Sequence, residues 1–223
     1  MKEFVWPDPP GQTAFPVAKA GYPFIFAAAF ATAVFALLGL VTPALLGLFA
    51  TLCICGFFRD PDRVVPNVEE GVVSPADGKV VFVGPVEENP YLDGRALKIS
   101  VFMSVFNVHV NRIPFSGKIQ DLAYHPGKFL SANLDKASDD NERNAVILET
   151  DRGARICFVQ IAGLIARRII CHVKPGDTVR KGQRFGLICF GSRLDVYLPE
   201  GASPLVKKGD KVQAGSSLLG RLA

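Results

Sequence analysis

Residues 173–182 read VKPGDTVRKG, and residues 206–215 read VKKGDKVQAG. The two segments share the pattern V-K-x-G-D-x-V-x-x-G, so the same turn occurs twice near the end of the chain. Residues 75–80 (PADGKV) and 114–119 (PFSGKI) form a second, weaker pair. Segments that repeat around Gly-Asp turns between short apolar runs are typical of β-structure. The sequence therefore predicts a β-rich domain built from two similar halves.

Eight short runs rich in Val, Ile and Phe extend this prediction from residue 60 to residue 223. They are separated by Gly, Pro and Asp turns and cover residues 72–73, 80–83, 97–102, 145–149, 156–161, 169–173, 185–190 and 194–198. Strands spaced in this way favour a mainly β (α+β) fold with little helix. Together with the repeats, the pattern resembles the flattened barrels of biotinyl and lipoyl carrier domains.

A long apolar stretch precedes this domain. Residues 20–58 contain no Asp, Glu, Lys, Arg or His. As one helix they would be roughly 58 Å long, almost twice the hydrocarbon thickness of a bilayer, which is about 30 Å. Pro43 is the expected break, which predicts helices over residues 23–41 and 44–58. We therefore expect residues 1–59 to form a membrane-associated helical hairpin.

The flanking charges predict the side of the membrane on which the hairpin ends. Lys19, Arg59 and Arg63 stand at its two ends, and positive charges favour the cytoplasmic side. The second arm has only about 15 residues, so a re-entrant hairpin is an alternative to two full spans. A hairpin buried in a soluble core is a third reading. A signal peptide is disfavoured because the run begins about 20 residues in and exceeds the usual 7 to 15 residues.

Composition excludes several classes of protein. Apolar residues make up 49% of the chain and charged residues 21%, which excludes disorder. The net charge of +4 is too small to indicate a nucleic-acid partner. The five cysteines show neither a disulfide framework nor Cys-x-x-Cys spacing, so we expect reduced thiols and no metal.

The histidines are the first candidates for acid–base chemistry. Alternation along a strand would place His109 on a polar face with Asn107 and Asn111. His125 and His172 are more typical of structural positions. The polar stretch 131–144 is predicted to be a loop over a site. Its Asp-Lys-Ala triplet (135–137) mimics a lipoyl-lysine site but lies outside the repeated turns, which disfavours a carrier.

Asp77 and Ser192 are candidates for a different reason. Asp77 is a turn residue, yet the matching position of the second copy holds Ser116, so the turn itself does not require a carboxylate. Gly191 leaves its own carbonyl unhindered and permits strained backbone, so the Ser192 hydroxyl could attack that carbonyl. A Gly-Ser pair alone is a weak signal and needs supporting motifs.

Several motifs in register supply that support. SPADG (74–78), FNVH (106–109), PGKF (126–129), NERN (141–144) and FGS (190–192) follow the apolar hairpin in this order. The combination resembles phosphatidylserine decarboxylases, in particular the short bacterial and archaeal branch. The resemblance covers the chain from about residue 15 onward.

The resemblance implies a proenzyme that cuts itself between Gly191 and Ser192. The products would be a β chain of residues 1–191 and an α chain of residues 192–223. Ser192 would attack, His109 would take its proton, and Asp77 would orient the imidazole. The new N-terminus of the α chain would become a covalent pyruvoyl group, with neither pyridoxal phosphate nor a metal.

The same resemblance implies the reaction and the partners. The pyruvoyl group at position 192 would form a Schiff base with phosphatidylserine and accept electrons as CO₂ leaves, giving phosphatidylethanolamine. The partners would be the phospholipid, the cytoplasmic face of the cell membrane and the two chains of one proenzyme, and a homodimer is compatible with the sequence. An archaetidylserine-type substrate or a membrane-tethered carrier-like binding module is the alternative.

Two positions depart from the family's pattern. Longer bacterial relatives carry a second histidine three residues before the catalytic one, where this chain has Phe106. Another group, with His125 as a candidate, would have to replace that histidine. Phe190 stands where leucine is commoner before the Gly-Ser pair, and this exchange of one apolar side chain for another should be tolerated.

Overall fold

The computed structural model describes residues 2–5, 16–87, 89–92, 94–129, 140–164, 168–189 and 191–223. The chain forms two compact units. One unit comprises residues 8–62, and the other comprises residues 1–7 together with 63–223.

The first unit is a helical hairpin. A 3₁₀ turn (Lys19–Gly21) leads into helix α1 (Tyr22–Leu37), and helix α2 spans Val41–Phe57. The chain reverses at Gly39, whose φ is +72°, so the prediction of a break at Pro43 is wrong. Pro43 instead lies in the first turn of α2, where a missing N–H removes no intrahelical hydrogen bond.

The two helices pack through small residues. Gly47 lies against the side chain of Thr32, and the hydroxyls of Thr32 and Thr51 are 3.5 Å apart. Each hydroxyl also bonds to a carbonyl oxygen four residues earlier. The helical stretch 19–37 is long and apolar enough to cross a membrane, with a mean hydropathy of 1.8, and α2 is a shorter apolar helix. No residue of α1 is buried, so the reading as a buried core hairpin is wrong.

The second unit consists of short strands. They are β1 (Lys2–Glu3), β2 (Gly71–Val73), β3 (Gly78–Val86), β4 (Ala96–Met103), β5 (Val110–Arg112), β6 (Gly117–His125), β7 (Arg143–Glu149), β8 (Arg155–Ala162), β9 (Ile169–Cys171), β10 (Asp177–Val179), β11 (Arg184–Ile188), β12 (Ser192–Pro199), β13 (Ser203–Pro204), β14 (Lys211–Val212) and β15 (Leu218–Arg221). The mainly β fold is confirmed, and each of the eight predicted runs overlaps a strand.

The described strands form three sheets and no closed barrel. The largest sheet has nine strands in the order β1-β10-β6-β7-β8-β12-β4-β3-β14. The other two have the orders β5-β11-β9 and β13-β15-β2. Strand β12 therefore lies inside the large sheet, with β8 on one side and β4 on the other.

The sequence repeats pair with each other in space. In one half, Val179 of β10 pairs with Gly117 of β6, and in the other, Val212 of β14 pairs with Gly78 of β3. A Cβ atom on either glycine would collide with a backbone carbonyl, which explains glycine at both positions. The two similar halves predicted from the repeats are thus visible in the strand register.

Candidate active site

Ser192 is the first residue of β12 and is completely buried. It pairs with Met103 of β4 on one side and with Ala162 of β8 on the other. The preceding Gly191 has φ +61°, a left-handed conformation that favours glycine. The Ser192 hydroxyl donates a hydrogen bond to the Met103 sulfur at 3.3 Å. The candidate nucleophile is therefore held between two strands, directly after a left-handed glycine.

A chain of buried amides reaches the same sulfur atom. The Asn111 Nδ2 group donates to Met103 Sδ at 3.7 Å, and Gln160 Nε2 donates to Asn111 Oδ1 at 2.9 Å. Asn144 Nδ2 donates in turn to Gln160 Oε1 at 3.3 Å. Gln160 was not predicted from the sequence, although a lone amide in the apolar run of β8 indicates a buried polar contact. These side chains give the interior beside Ser192 a fixed polar arrangement.

Asp77 ends the turn that precedes β3, and both of its carboxylate oxygens are engaged. Oδ1 accepts the backbone N–H of Ala214 at 2.8 Å. Oδ2 accepts Nη2 of Arg63 at 2.8 Å, and the side chains of this ion pair are only 14% and 11% exposed. Sequence reasoning assigned Arg63 to the membrane flank and missed its contact with the candidate site.

The second copy of the turn keeps only one of these two contacts. Ser116, which corresponds to Asp77, accepts the backbone N–H of Lys181 at 2.9 Å. Lys181 occupies the repeat position of Ala214. The amide contact therefore belongs to the architecture of the turn, whereas the contact with Arg63 is particular to Asp77.

His109 stands immediately before β5 and is 1% exposed. His109 lies outside the strand, and Val108, Val110 and Asn111 are all buried with it, so exposure does not separate a polar from an apolar face here. Nδ1 of His109 lies 2.9 Å from the Asn107 carbonyl oxygen. Since a carbonyl can only accept, Nδ1 carries a hydrogen, and Nε2 is the ring nitrogen that could act as a base. In this structure a backbone carbonyl holds the ring orientation, and the expected contact with Asp77 stays a prediction.

Strand register places Asp77 and Ser192 at the same end of the large sheet, on either side of β4. Met103 of β4 pairs with Ser192, and the adjacent Phe102 pairs with Lys79 of β3. Asp77 precedes Lys79 by two residues and therefore lies just beyond this end of β3. One strand, β4, separates the two candidate residues.

His109 joins the same region through β5. The Arg112 N–H donates to the Pro75 carbonyl in the Asp77 turn at 2.9 Å. On its other side β5 pairs with β11, with Val110 opposite Leu187, and β11 leads directly to the Gly191–Ser192 bond. The fold thus brings together the segments that carry all three predicted residues.

Buried charges lie on the opposite face of β12. Arg193 binds the Asp195 carboxylate with two hydrogen bonds of 2.7 and 2.9 Å, and Lys98 Nζ lies 3.1 Å from the same carboxylate. Lys98 also lies 5.3 Å from the centre of the Tyr197 ring. Burial raises the pKa of Tyr197, and Asp195 adds to the effect. This cluster fixes the strand whose first residue is Ser192.

The remaining predicted positions have different outcomes. Phe106 is 83% exposed, and His125 ends β6, with strands β7 and β8 between it and β12. His172 follows β9 and donates its backbone N–H to the Phe185 carbonyl. Phe190 and residues 130–139, which include most of the predicted loop, lie outside the described residues. Among the described residues, no group of three His, Cys, Asp or Glu side chains could hold a metal ion.

A second Gly-Ser pair tests how specific the first one is. Gly215 precedes Ser216 and also has a positive φ, +74°. Ser216 is partly exposed, whereas Ser192 is completely buried. A left-handed glycine therefore does not distinguish the Gly191–Ser192 bond from the Gly215–Ser216 bond. The burial of the serine hydroxyl distinguishes them.

The chain matches one family of known proteins. The family model described as phosphatidylserine decarboxylase matches residues 50–220. The phosphatidylserine decarboxylase proenzyme of Geotalea uraniireducens is 52% identical over 207 residues, which cover 93% of this chain and 97% of the relative. Those of Desulfotalea psychrophila and Syntrophus aciditrophicus are 47% and 52% identical, with coverage of 95% and 92% of this chain and 99% and 96% of the relatives. The chain therefore belongs to the phosphatidylserine decarboxylase family.

Proposed function

We propose that this protein decarboxylates phosphatidylserine to phosphatidylethanolamine with a pyruvoyl group that it makes by cutting itself between Gly191 and Ser192. The family membership supports the reaction. The complete burial of Ser192, directly after a left-handed glycine and beside a sulfur acceptor, is the observation that carries the cutting site.

The cutting step uses groups of the chain itself. Ser192 Oγ attacks the carbonyl carbon of Gly191 and passes its proton to His109 Nε2, while the former peptide nitrogen leaves as the amine of residue 192. Asp77 stabilises the imidazolium. Removal of the Cα proton of residue 192 then breaks the Cβ–Oγ bond and leaves the carboxylate of Gly191. Hydrolysis of the resulting dehydroalanine releases ammonia and leaves the keto group.

The surroundings of residue 192 fit this modification. Loss of Oγ converts the Ser192 side chain into a methyl group beside the Met103 sulfur, which packs against apolar groups as readily as it accepts a weak hydrogen bond. Met103 and the flanking strands β4 and β8 would hold the modified terminus. The pyruvoyl group supplies an electron sink for the pair left behind when CO₂ departs.

The hairpin gives this chemistry access to its substrate. A diacyl phospholipid stays in the bilayer because each buried CH₂ group contributes about 0.8 kcal/mol. The exposed apolar side chains of α1 and α2 would anchor the protein, and Lys19 and Arg59 would keep both ends of the hairpin on the cytoplasmic face. The domain division at residues 59 and 60 and a homodimer remain predictions.

Intact-mass analysis of purified protein tests the proposal. We expect a C-terminal fragment of residues 192–223, which lacks a free α-amine at its N-terminus and therefore resists Edman sequencing. Ser192→Ala should give one uncut, inactive chain, and Ser216→Ala should be cut and active, since it alters only the other Gly-Ser pair. An active chain that is continuous through residues 191 and 192, or a cut before Ser216, would contradict the proposal.

A further inference from the structure

The geometry points to Arg63 as the positioning residue of Asp77 in the self-cutting reaction. This inference rests on the proposed function, because it gives Arg63 a role through a residue that acts in cutting. The sequence predicts that Arg63, next to the hairpin, faces lipid headgroups. In the structure Arg63 instead binds the Asp77 carboxylate of the candidate site, and this contact suggests a different role.

The first step is the way in which the Asp77 carboxylate is fixed. Its two oxygens are held by donors from two distant parts of the chain, the Ala214 amide and the Arg63 guanidinium. A single contact at Oδ1 would leave the carboxylate free to rotate about its Cβ–Cγ bond. The guanidinium fixes the second oxygen and therefore the carboxylate plane. The Asn107 carbonyl already accepts Nδ1–H of His109 in this structure, so the fixed carboxylate would stabilise the imidazolium through its negative charge.

The internal repeat supplies a comparison within the same molecule. At the matching turn, Ser116 accepts the Lys181 amide and the turn keeps the same backbone pairing. A hydroxyl and one amide are thus enough for the architecture. The turn at Asp77 differs from the turn at Ser116 by having a carboxylate and an arginine bound to it. The turn at Asp77 is also the one at the same end of the sheet as Ser192. This pairing indicates that Arg63 serves the function of Asp77 and is not needed by the turn.

The segment that carries Arg63 is itself anchored. Val65 packs on Gly182, and Lys181 Nζ donates to the carbonyls of Val68 and Gly71 at 2.5 and 3.3 Å. These contacts tie residues 65–71 to the end of the segment 173–182. Arg63 therefore reaches Asp77 from a fixed backbone, as a positioning residue requires.

The Arg63–Asp77 pair is also shielded enough to be effective. Exposed ion pairs contribute little because water and salt screen them. Here both side chains are mostly buried, so the pair is less screened. Removing Arg63 would leave the Asp77 carboxylate without the cation that orients it. Lysine keeps the charge but lacks the planar fork of the guanidinium and would restore the orientation only in part.

The rate at which newly made proenzyme cuts itself tests the inference. Cell-free synthesis of the full chain, followed by quantification of the fragment 192–223, gives this rate directly. We expect Arg63→Met to slow cutting at least tenfold and Arg63→Lys to recover part of the loss. Arg95→Met is the matched control, because Arg95 pairs with Glu87 at the surface, outside the segment 63–71, and it should cut at the wild-type rate.

A double mutant separates positioning from general damage to the fold. If Arg63 acts through Asp77, then Arg63→Met should slow cutting no further in an Asp77→Asn background. Wild-type cutting by Arg63→Met, no recovery by Arg63→Lys, or a full additional loss in the double mutant would each overturn the inference. A wild-type chain that is never cut before Ser192 would instead overturn the proposed function, and the inference with it.

Discussion

The Ser192 hydroxyl donates its hydrogen bond to the sulfur of Met103, a weak acceptor, at 3.3 Å. A buried hydroxyl is usually satisfied by oxygen or nitrogen, which would hold its proton more strongly. The sulfur orients the hydroxyl without competing strongly with a base. The same atom tolerates the methyl group expected after cutting.

Replacements of Met103 should show this compromise. Met103→Leu keeps the volume and removes only a weak acceptor, so we expect self-cutting within about threefold of the wild-type rate. Met103→Gln adds a stronger acceptor, and one neutral hydrogen bond of about 1 kcal/mol corresponds to cutting that is roughly fivefold slower. Time courses of fragment release measure both. Equal slowing by the two variants would contradict the argument.

Removing the proposed base, His109, or the carboxylate proposed to assist it, Asp77, should block cutting or slow it strongly. His109→Ala lacks the group that accepts the Ser192 proton, and general bases contribute about 10² to 10⁴-fold to such steps. Asp77→Ala should also slow cutting strongly. His172→Ala is the control and should be cut normally, because His172 lies outside the candidate site. Normal cutting by His109→Ala or Asp77→Ala would refute the role assigned to that residue.

The buried charges behind Ser192 should matter for stability. Asp195→Ala removes the carboxylate that both Arg193 and Lys98 bind, and breaking a buried ion pair costs about 3–5 kcal/mol. Glu87→Ala breaks the exposed pair with Arg95 and should change stability little. Denaturant unfolding in detergent, in a Ser192→Ala background that keeps one chain, compares the two. Similar midpoints for both variants would show that the buried cluster is not stabilising.

One buried thiol should make the protein sensitive to alkali. Burial raises the pKa of Cys157 well above its usual range, and the nearby negative charge of Asp195 raises it further. Above about pH 9 the unfolded chain loses this proton while the folded chain keeps it, so stability falls as pH rises, by up to about 1.4 kcal/mol per unit. Cys157→Ala should weaken this fall between pH 9 and 10.5. Identical pH dependence in the same unfolding assay would exclude Cys157 as a source.

Local patterns predicted the strands well where apolar runs were clear. β8 was found because both of its faces are buried and largely apolar. β12 was found through its apolar residues between 194 and 198, although Arg193 and Asp195 are buried in the same strand. β6 was missed because GKIQDLAYH mixes polar and apolar residues, and much of the strand is exposed. The hairpin was predicted correctly, but Gly39 rather than Pro43 reverses the chain, since proline is tolerated in the first turn of a helix.

The candidate residues were found through motifs, whereas their partners depend on tertiary structure. The contact between Arg63 and Asp77 joins a linker to a turn, and no periodicity predicts which carboxylate an arginine will reach. The burial of His109 also depends on β11, which lies more than 70 residues later in the chain. Gln160 is the exception, since an amide inside an apolar strand indicates a buried polar partner.

The position of β12 between β4 and β8 would decide what becomes of the protein after the proposed cut. The fragment 192–223 would contribute an interior strand, so ladder hydrogen bonds and core side chains would keep it bound without a covalent link. Cutting would follow folding, because Ser192 is enclosed only once β12 has paired with β4 and β8. The proposed maturation would then be irreversible. After denaturation the two polypeptides would have to reassociate at a concentration-dependent rate, whereas the uncut precursor refolds as one chain.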